Sequence, residues 1–427
     1  MKTLTVCLIA LSSAISVCAQ TDPAPLAGLS AAELASFQQG LARFREVVSV
    51  KGSESGAAGI GLGPRFNLNS CAGCHAQPSV GGTSPRQNPQ IAVAKEYGAA
   101  NTIPSFIQLD GPVRVVRFAG GGRGRGPGRG GPDGGVHDLF VVTGRKDADG
   151  CKIAQPNFDY AVSQRNAFFR IPTPVYGAGL IEAISEASIM NNLRADRPLK
   201  DSLGIGGHEN RSQNDGTITR FGWKAQDKSL VSFAGEAFNV EIGVTNEEFP
   251  HEREDTPGCV LNASPEDHVI RGTSAMSAVT ATAEFMRLLG APTRGPETES
   301  TGRGSKLFAS IGCATCHSPN LRTGRSDIAA LNEKWVPLYS DLALHDMGPG
   351  LEDFIDQGQA RGRDWRTPPL WGLGQRIFLM HDGRTSDLAQ AIREHGTAGS
   401  EGYQTTKRFE ALKPEEKQDL LNFLRSL

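Results

Sequence analysis

Two five-residue segments could do the most specific chemistry in this chain: Cys71-Ala72-Gly73-Cys74-His75 and Cys313-Ala314-Thr315-Cys316-His317. In a Cys-x-x-Cys-His segment two thiols can add to the vinyl groups of one porphyrin. The adjacent histidine then lies under the iron as its proximal ligand. With 8 cysteines and 9 histidines in 427 residues, chance would supply roughly 0.003 such segments per chain. Two of them predict two covalently bound haem c groups, one on His75 and one on His317. A zinc site built from both cysteine pairs would give the two histidines no reason to follow each pair directly. A thiol-redox pair would need a βαβ setting that the flanking residues lack.

Each iron has a sixth position. A filled position favours electron transfer, and an open one favours chemistry with peroxide or oxygen. The remaining histidines are His137, His208, His251, His268, His345, His381 and His395, and Met347 and Met380 are methionine candidates. No histidine stands between His75 and His137, so the first iron is expected to be five-coordinate or water-bound.

The elements that must position these groups are mostly helical. Leu34, Phe37, Leu41 and Phe44 have helical spacing within 31–50, and 177–195 and 273–290 read as helices. Pro414 opens a last helix with Leu420, Phe423, Leu424 and Leu427 on one face. Strand-like runs are Val113–Phe118 and Leu139–Val142, joined by a Gly/Arg/Pro-rich connector, 120–135, that reads as a surface loop. The polar stretch Thr293–Thr301 is the expected boundary between two units. The division is a leader over 1–19, a first unit over 20–295 with a large insert, and a second over 296–427. The fold class is mainly α: two cytochrome c-like haem domains, with short β-strands in the insert of the first.

Met1-Lys2, the apolar run Leu4 to Val17 and the small Ala19 read as a cleaved signal peptide, with lipidation of Cys18 as the less favoured alternative. An exported, periplasmic protein is expected, with no membrane span. Net charge is −2, from 44 Lys+Arg against 46 Asp+Glu, which leaves no global basic field for nucleic acid. Two cysteines remain after the leader and the two motifs. Cys151 and Cys259 are expected to pair as a disulfide in an oxidising compartment, a redox-active thiol pair being the alternative.

Several longer segments resemble the di-haem oxidoreductases grouped as thiol oxidoreductases. They are Asp341–Gly348, Arg366–Gly374, Leu379–Thr385, Gly134–Phe140 and Phe221–Ala225. More distantly the chain is similar to bacterial di-haem cytochrome c peroxidases and to the di-haem enzymes that mature methylamine dehydrogenase. In those peroxidases a His-x-Gly segment stands fourteen residues before the distal ligand of the second haem. Counting from His381 reaches His395, so the resemblance implies a bis-histidine haem on His317 and His395, with Met347 as the competing ligand. It also implies that Trp223 bridges the haems and that Glu241 moves the proton during peroxide cleavage, with its neighbours Val240 and Ile242 suggesting a strand or turn. Glu182 is a second carboxylate candidate after its apolar lead-in. A bridging calcium would fall near Arg376 and Phe378, where an arginine would repel it. The implied function is a peroxidase-like di-haem oxidoreductase reacting with peroxide or oxygen and served by a small cytochrome c or copper protein. A di-haem electron carrier and a di-haem oxygenase acting on an organic substrate are the alternatives.

Overall fold

The computed structural model describes residues 22–52, 59–99, 102–119, 145–252, 254, 256–262, 267 and 276–427. The leader, the 120–135 connector, the Leu139–Val142 run, the Gly134–Phe140 segment, His137 and His268 lie outside the described residues.

The first helix, Ala31–Arg45, begins at a capping box. Ser30 accepts from the Glu33 N–H, and the Glu33 carboxylate accepts from the Ser30 N–H. Its buried face, Phe37, Gly40, Leu41 and Phe44, packs against the helix Ala278–Leu288. At the crossing, a Cβ on Gly40 would collide with the Ala281 carbonyl and Phe285, so only glycine lets the two backbones approach this closely.

The same construction recurs near the end of the chain. Helix Glu299–Ser310, capped by Thr298, crosses helix Pro414–Ser426. A Cβ on Gly304 would collide with the Asp419 carbonyl. Four residues after each glycine a phenylalanine fills the crossing: Phe44 lies 4.8 Å from Phe285, and Phe308 lies 5.3 Å from Phe423, ring to ring. One helix crossing, with one glycine and one pair of rings, is therefore built before Thr293 and another after Thr298, the second helix starting inside the polar stretch 293–301.

Two sequence expectations are corrected. The 177–195 helix is two helices, Ala178–Ala183 and Glu186–Arg194, because the Ser185 side chain accepts from the Ser188 N–H and restarts the chain as a new N-terminus. The strands are not confined to the first unit. Val115–Phe118 pairs with Ala167–Arg170, and Asn210–Arg211 with Ile218–Thr219. Leu321–Arg322 pairs with Trp335–Val336, and Leu344–Asp346 with Asp364–Arg366, all antiparallel. The latter two pairs are two and three residues long, too short to carry a readable alternation.

The main buried core runs from Phe37 to Leu289 and also takes in Leu321, Val336, Leu342 and Trp371. A second core gathers Phe308, Phe409, Leu420, Phe423 and Leu424. Among the described residues no helix is long and apolar enough to cross a membrane.

A disulfide joins Cys151 to Cys259 across 108 residues, and both cysteines are buried in the main core. Removing a cross-link over a loop of that length frees the unfolded chain by about 5 kcal/mol. The double variant Cys151→Ser, Cys259→Ser is expected to lose about that much unfolding free energy, read by denaturant titration of the oxidised protein.

Candidate functional site

Each Cys-x-x-Cys-His segment winds through one short helical turn that the histidine N–H closes onto the first cysteine carbonyl. Ser70 caps the short helix Cys71–Cys74 by accepting from the Gly73 N–H, and the His75 N–H donates to the Cys71 carbonyl. In the second segment the His317 N–H donates to the Cys313 carbonyl. The ring Nδ1 of His75 is 3.0 Å from the Gly82 carbonyl, and that of His317 is 3.0 Å from the Tyr339 carbonyl. Donation from Nδ1 fixes the tautomer and leaves Nε2 with its lone pair for a metal. The crossing phenylalanines support both rings: Phe44 lies 5.8 Å from His75, and Phe308 lies 6.3 Å from His317.

Burial dominates the electrostatics of both segments. Burial, then the charge of Glu241, pushes the Cys71 thiol up to about 12, and the same two causes hold Cys74 well above its ordinary value. Burial pushes Cys313 up to about 12. Without a metal these three thiols stay protonated at pH 7, which disfavours a thiolate redox pair. Thioethers carry no charge and meet no such penalty. Burial and then the neighbouring His395 push His317 down to about 4, and burial lowers His395 as well. Both imidazoles are therefore neutral at pH 7, the form that ligates iron.

A cavity of about 220 Å³ is lined by Cys313, Cys316, His317 and His395 together. His395 caps the helix Leu388–Glu394, and its Nδ1 is 2.8 Å from the Ala391 carbonyl. It thus presents its ring in the same tautomer as His317. Met347 and Met380 line the same cavity. His345 also reaches it but is tied up on both nitrogens, to Asp341 at 3.0 Å and Glu401 at 2.6 Å. Among the other histidines, His208 sits 3.5 Å from Asp364 and His251 is exposed.

A second cavity, about 70 Å³, lies beside the first segment and is lined by Cys74, Glu241, Glu236, Arg117 and Arg170. Trp223 lines both cavities. Its indole N–H donates to the Ile171 carbonyl at 2.9 Å, which fixes the ring as a shared wall. Glu241 is not on a strand. It is the last residue of helix Leu230–Glu241, which starts where Ser229 accepts from the Ser232 N–H. Its carboxylate points back toward the first segment, with Oε2 3.9 Å from Nε2 of His75.

Glu182 reaches neither cavity. It sits late in helix Ala178–Ala183, pairs with Arg287 at 2.8 Å and accepts from the Leu230 N–H at 2.8 Å, so it holds the start of the helix that ends in Glu241. The Arg376 guanidinium donates to the carbonyls of Pro369 and Trp371 at 2.8 and 3.1 Å, and it lines the larger cavity beside Phe378. A cationic side chain already satisfies carbonyls there, so these residues do not fit a calcium ion.

One cluster was not read from the sequence. Trp365 stacks on His381 at 3.7 Å, and its ring lies 6.5 Å from Trp223. The fully buried Lys224 places its ammonium 4.0 Å from the Trp365 centroid and 3.1 Å from Asp353, which also binds Arg170 at 2.6 Å. Burial lowers Lys224 to about 8, with Asp353 opposing that shift. A lysine beside a tryptophan in sequence reads as a surface residue, and its buried partners come from segments distant in sequence.

Residues 136–427, well over half the chain, match the family model described as "Di-haem oxidoreductase, putative peroxidase". No curated protein matches the chain. Among solved structures it is similar to a hydrazine synthase of Kuenenia stuttgartiensis, at 13% identity over 100% of both chains, with a TM-score of 0.38. It is also similar to a MauG-like protein associated with microbial copper homeostasis, at 14% identity over 57% of this chain and 90% of that one, with a TM-score of 0.30. A third is the di-haem peroxidase BthA from Burkholderia thailandensis, at 16% identity over 57% of this chain and 77% of that one, with a TM-score of 0.29.

Proposed function

Since this chain belongs to the di-haem oxidoreductase family, we propose that it is an exported, peroxidase-like enzyme that carries two covalently attached haems and reacts at the first. The observation that carries the proposal is the shared wall. Trp223 lines the cavity of Cys313, Cys316 and His317 and also the cavity of Cys74 and Glu241. Haem iron, when bound, supplies electron transfer where both axial positions are filled and reaction with peroxide or oxygen where one can open.

The chain's own residues divide that work. Cys71 and Cys74 hold one porphyrin and Cys313 and Cys316 the other, with His75 and His317 presenting Nε2 as proximal ligands. His395 completes the second set, in a cavity whose walls are largely apolar: Leu370, Leu373, Leu379 and Leu388 among them. Those walls exclude water and so favour transfer of an electron over binding of a substrate. Glu241 is the carboxylate within reach of the first site. It is the group to accept a proton from a bound peroxide and return it to the leaving oxygen. Trp223 couples the sites, and the electron donor is a small cytochrome c or copper protein.

The test is spectroscopic. The haem-loaded ferric protein is expected to give one high-spin and one low-spin signal by electron paramagnetic resonance, and peroxide should abolish the high-spin one within the turnover time. Two low-spin signals, both inert to peroxide and to carbon monoxide, would leave an electron carrier. A stable complex of the reduced first haem with oxygen, without peroxide turnover, would leave an oxygenase.

A further inference from the structure

Glu241 stands in an unusual relation to His75. The Oε2–Nε2 distance is 3.9 Å, too long for a hydrogen bond. Among the described residues its carboxylate makes no hydrogen bond, and His75 is its one ion-pair contact. Bonds from a first-row metal to an imidazole nitrogen and to a carboxylate oxygen each run about 2 Å. The separation therefore matches two such bonds to one shared atom.

The backbone holds the end of helix Leu230–Glu241 beside the first segment. The Gly63 N–H donates to the Ile242 carbonyl at 2.8 Å, and the Val244 N–H donates to the Phe238 carbonyl at 2.9 Å. Gly243 has φ of +74°, and a Cβ there would lie 2.7 Å from the Gly63 Cα. The residue after Glu241 is thus locked against the loop that leads into Cys71, and the helix end cannot drift from the histidine without breaking that contact.

We infer that Glu241 is an axial ligand of the first iron, opposite His75, in the resting ferric protein; this rests on the first Cys-x-x-Cys-His segment holding a haem. The carboxylate donates a lone pair to the iron. When an incoming ligand displaces it, the same group is left beside the open position as a free base. An anionic oxygen ligand stabilises ferric over ferrous iron, as a tyrosinate does. It is also a weaker-field ligand than a second imidazole, so the site stays high-spin and exchangeable. The first iron is then closed by a displaceable carboxylate at rest, where the absence of a nearby histidine alone suggests an open position.

The experiment uses the mature, haem-loaded protein and two variants, Glu241→Gln and Glu241→His. A pyridine haemochrome count of two per chain in each establishes loading; a count below two in the unsubstituted protein would overturn the di-haem reading itself. If Glu241 is the ligand, Glu241→His turns the high-spin signal into a second bis-histidine low-spin signal. Glu241→Gln, lacking the anion, binds cyanide at the ferric first haem faster, by on the order of tenfold. A high-spin signal unchanged in Glu241→His, or a cyanide rate unchanged in Glu241→Gln, would overturn the assignment. If the histidine variant does not load, the cyanide rate decides alone.

Discussion

Replacing His395 by alanine is expected to convert one low-spin ferric haem signal to high spin, and to raise that haem's midpoint potential by on the order of 0.1 V. The other haem's signal should be left in place. The expectation follows from how the ring is held. His395 lies in the cavity of Cys313, Cys316 and His317. Its Nδ1 is committed to the Ala391 carbonyl, so Nε2 is the nitrogen left to bind. Burial keeps it neutral, and its proximity is what helps push His317 down to about 4. Imidazole stabilises ferric iron better than a weak or absent ligand does, so its loss raises the potential. Met347 lines the same cavity, and the variant separates the two. If His395→Ala stays low-spin while Met347→Ala becomes high-spin, the thioether is the ligand. The Met347→Ala control also shows whether a spin change reflects general loosening of the pocket.

The parts of the site legible in the sequence are those whose chemistry demands contiguity. A Cys-x-x-Cys-His segment sets two cysteines and a histidine within five residues, so Cys71 to His75 and Cys313 to His317 can be found without a fold. The helices around them were legible from the spacing of Phe37, Leu41 and Phe44 and of Leu420, Phe423 and Leu424. The matching glycines were present as Gly40-x-x-x-Phe44 and Gly304-x-x-x-Phe308, but a glycine in a helical pattern reads as a weakness until the crossing partner is known. Glu241 shows the opposite failure. Its flanking Val240 and Ile242 mimic strand alternation, while the helix that carries it is decided by the Ser229 cap and by Phe238 and Leu230 in the core. Glu182 is a candidate from its apolar lead-in alone, and its partner Arg287, 105 residues away, is not legible beside it. The Lys224, Arg170 and Trp365 cluster is assembled from segments far apart in sequence, so no local pattern could announce it.

Trp223→Phe is expected to slow electron transfer between the two haems by about a hundredfold, the change that accompanies a barrier about 2.7 kcal/mol higher. Both haem spectra should be nearly unchanged. Phenylalanine keeps most of the wall between the cavities but removes the readily oxidised indole and its hydrogen bond to Ile171. Trp365 is the natural control. It lies 6.5 Å from Trp223 and also lines the larger cavity, so proximity alone would make it an equal relay. Its electrostatic setting differs. The Lys224 ammonium stands 4.0 Å from its ring and the Arg170 guanidinium 5.4 Å. Two cations facing a buried indole favour its neutral form and oppose a positive charge on it. Trp365→Phe should therefore leave the inter-haem rate within a fewfold of the unsubstituted protein. Flash photolysis of the half-reduced, carbon monoxide-bound protein reads both rates directly. Equal slowing in the two variants would mean that the indoles act only as packing. No slowing in Trp223→Phe would mean that electrons cross the shared wall without it.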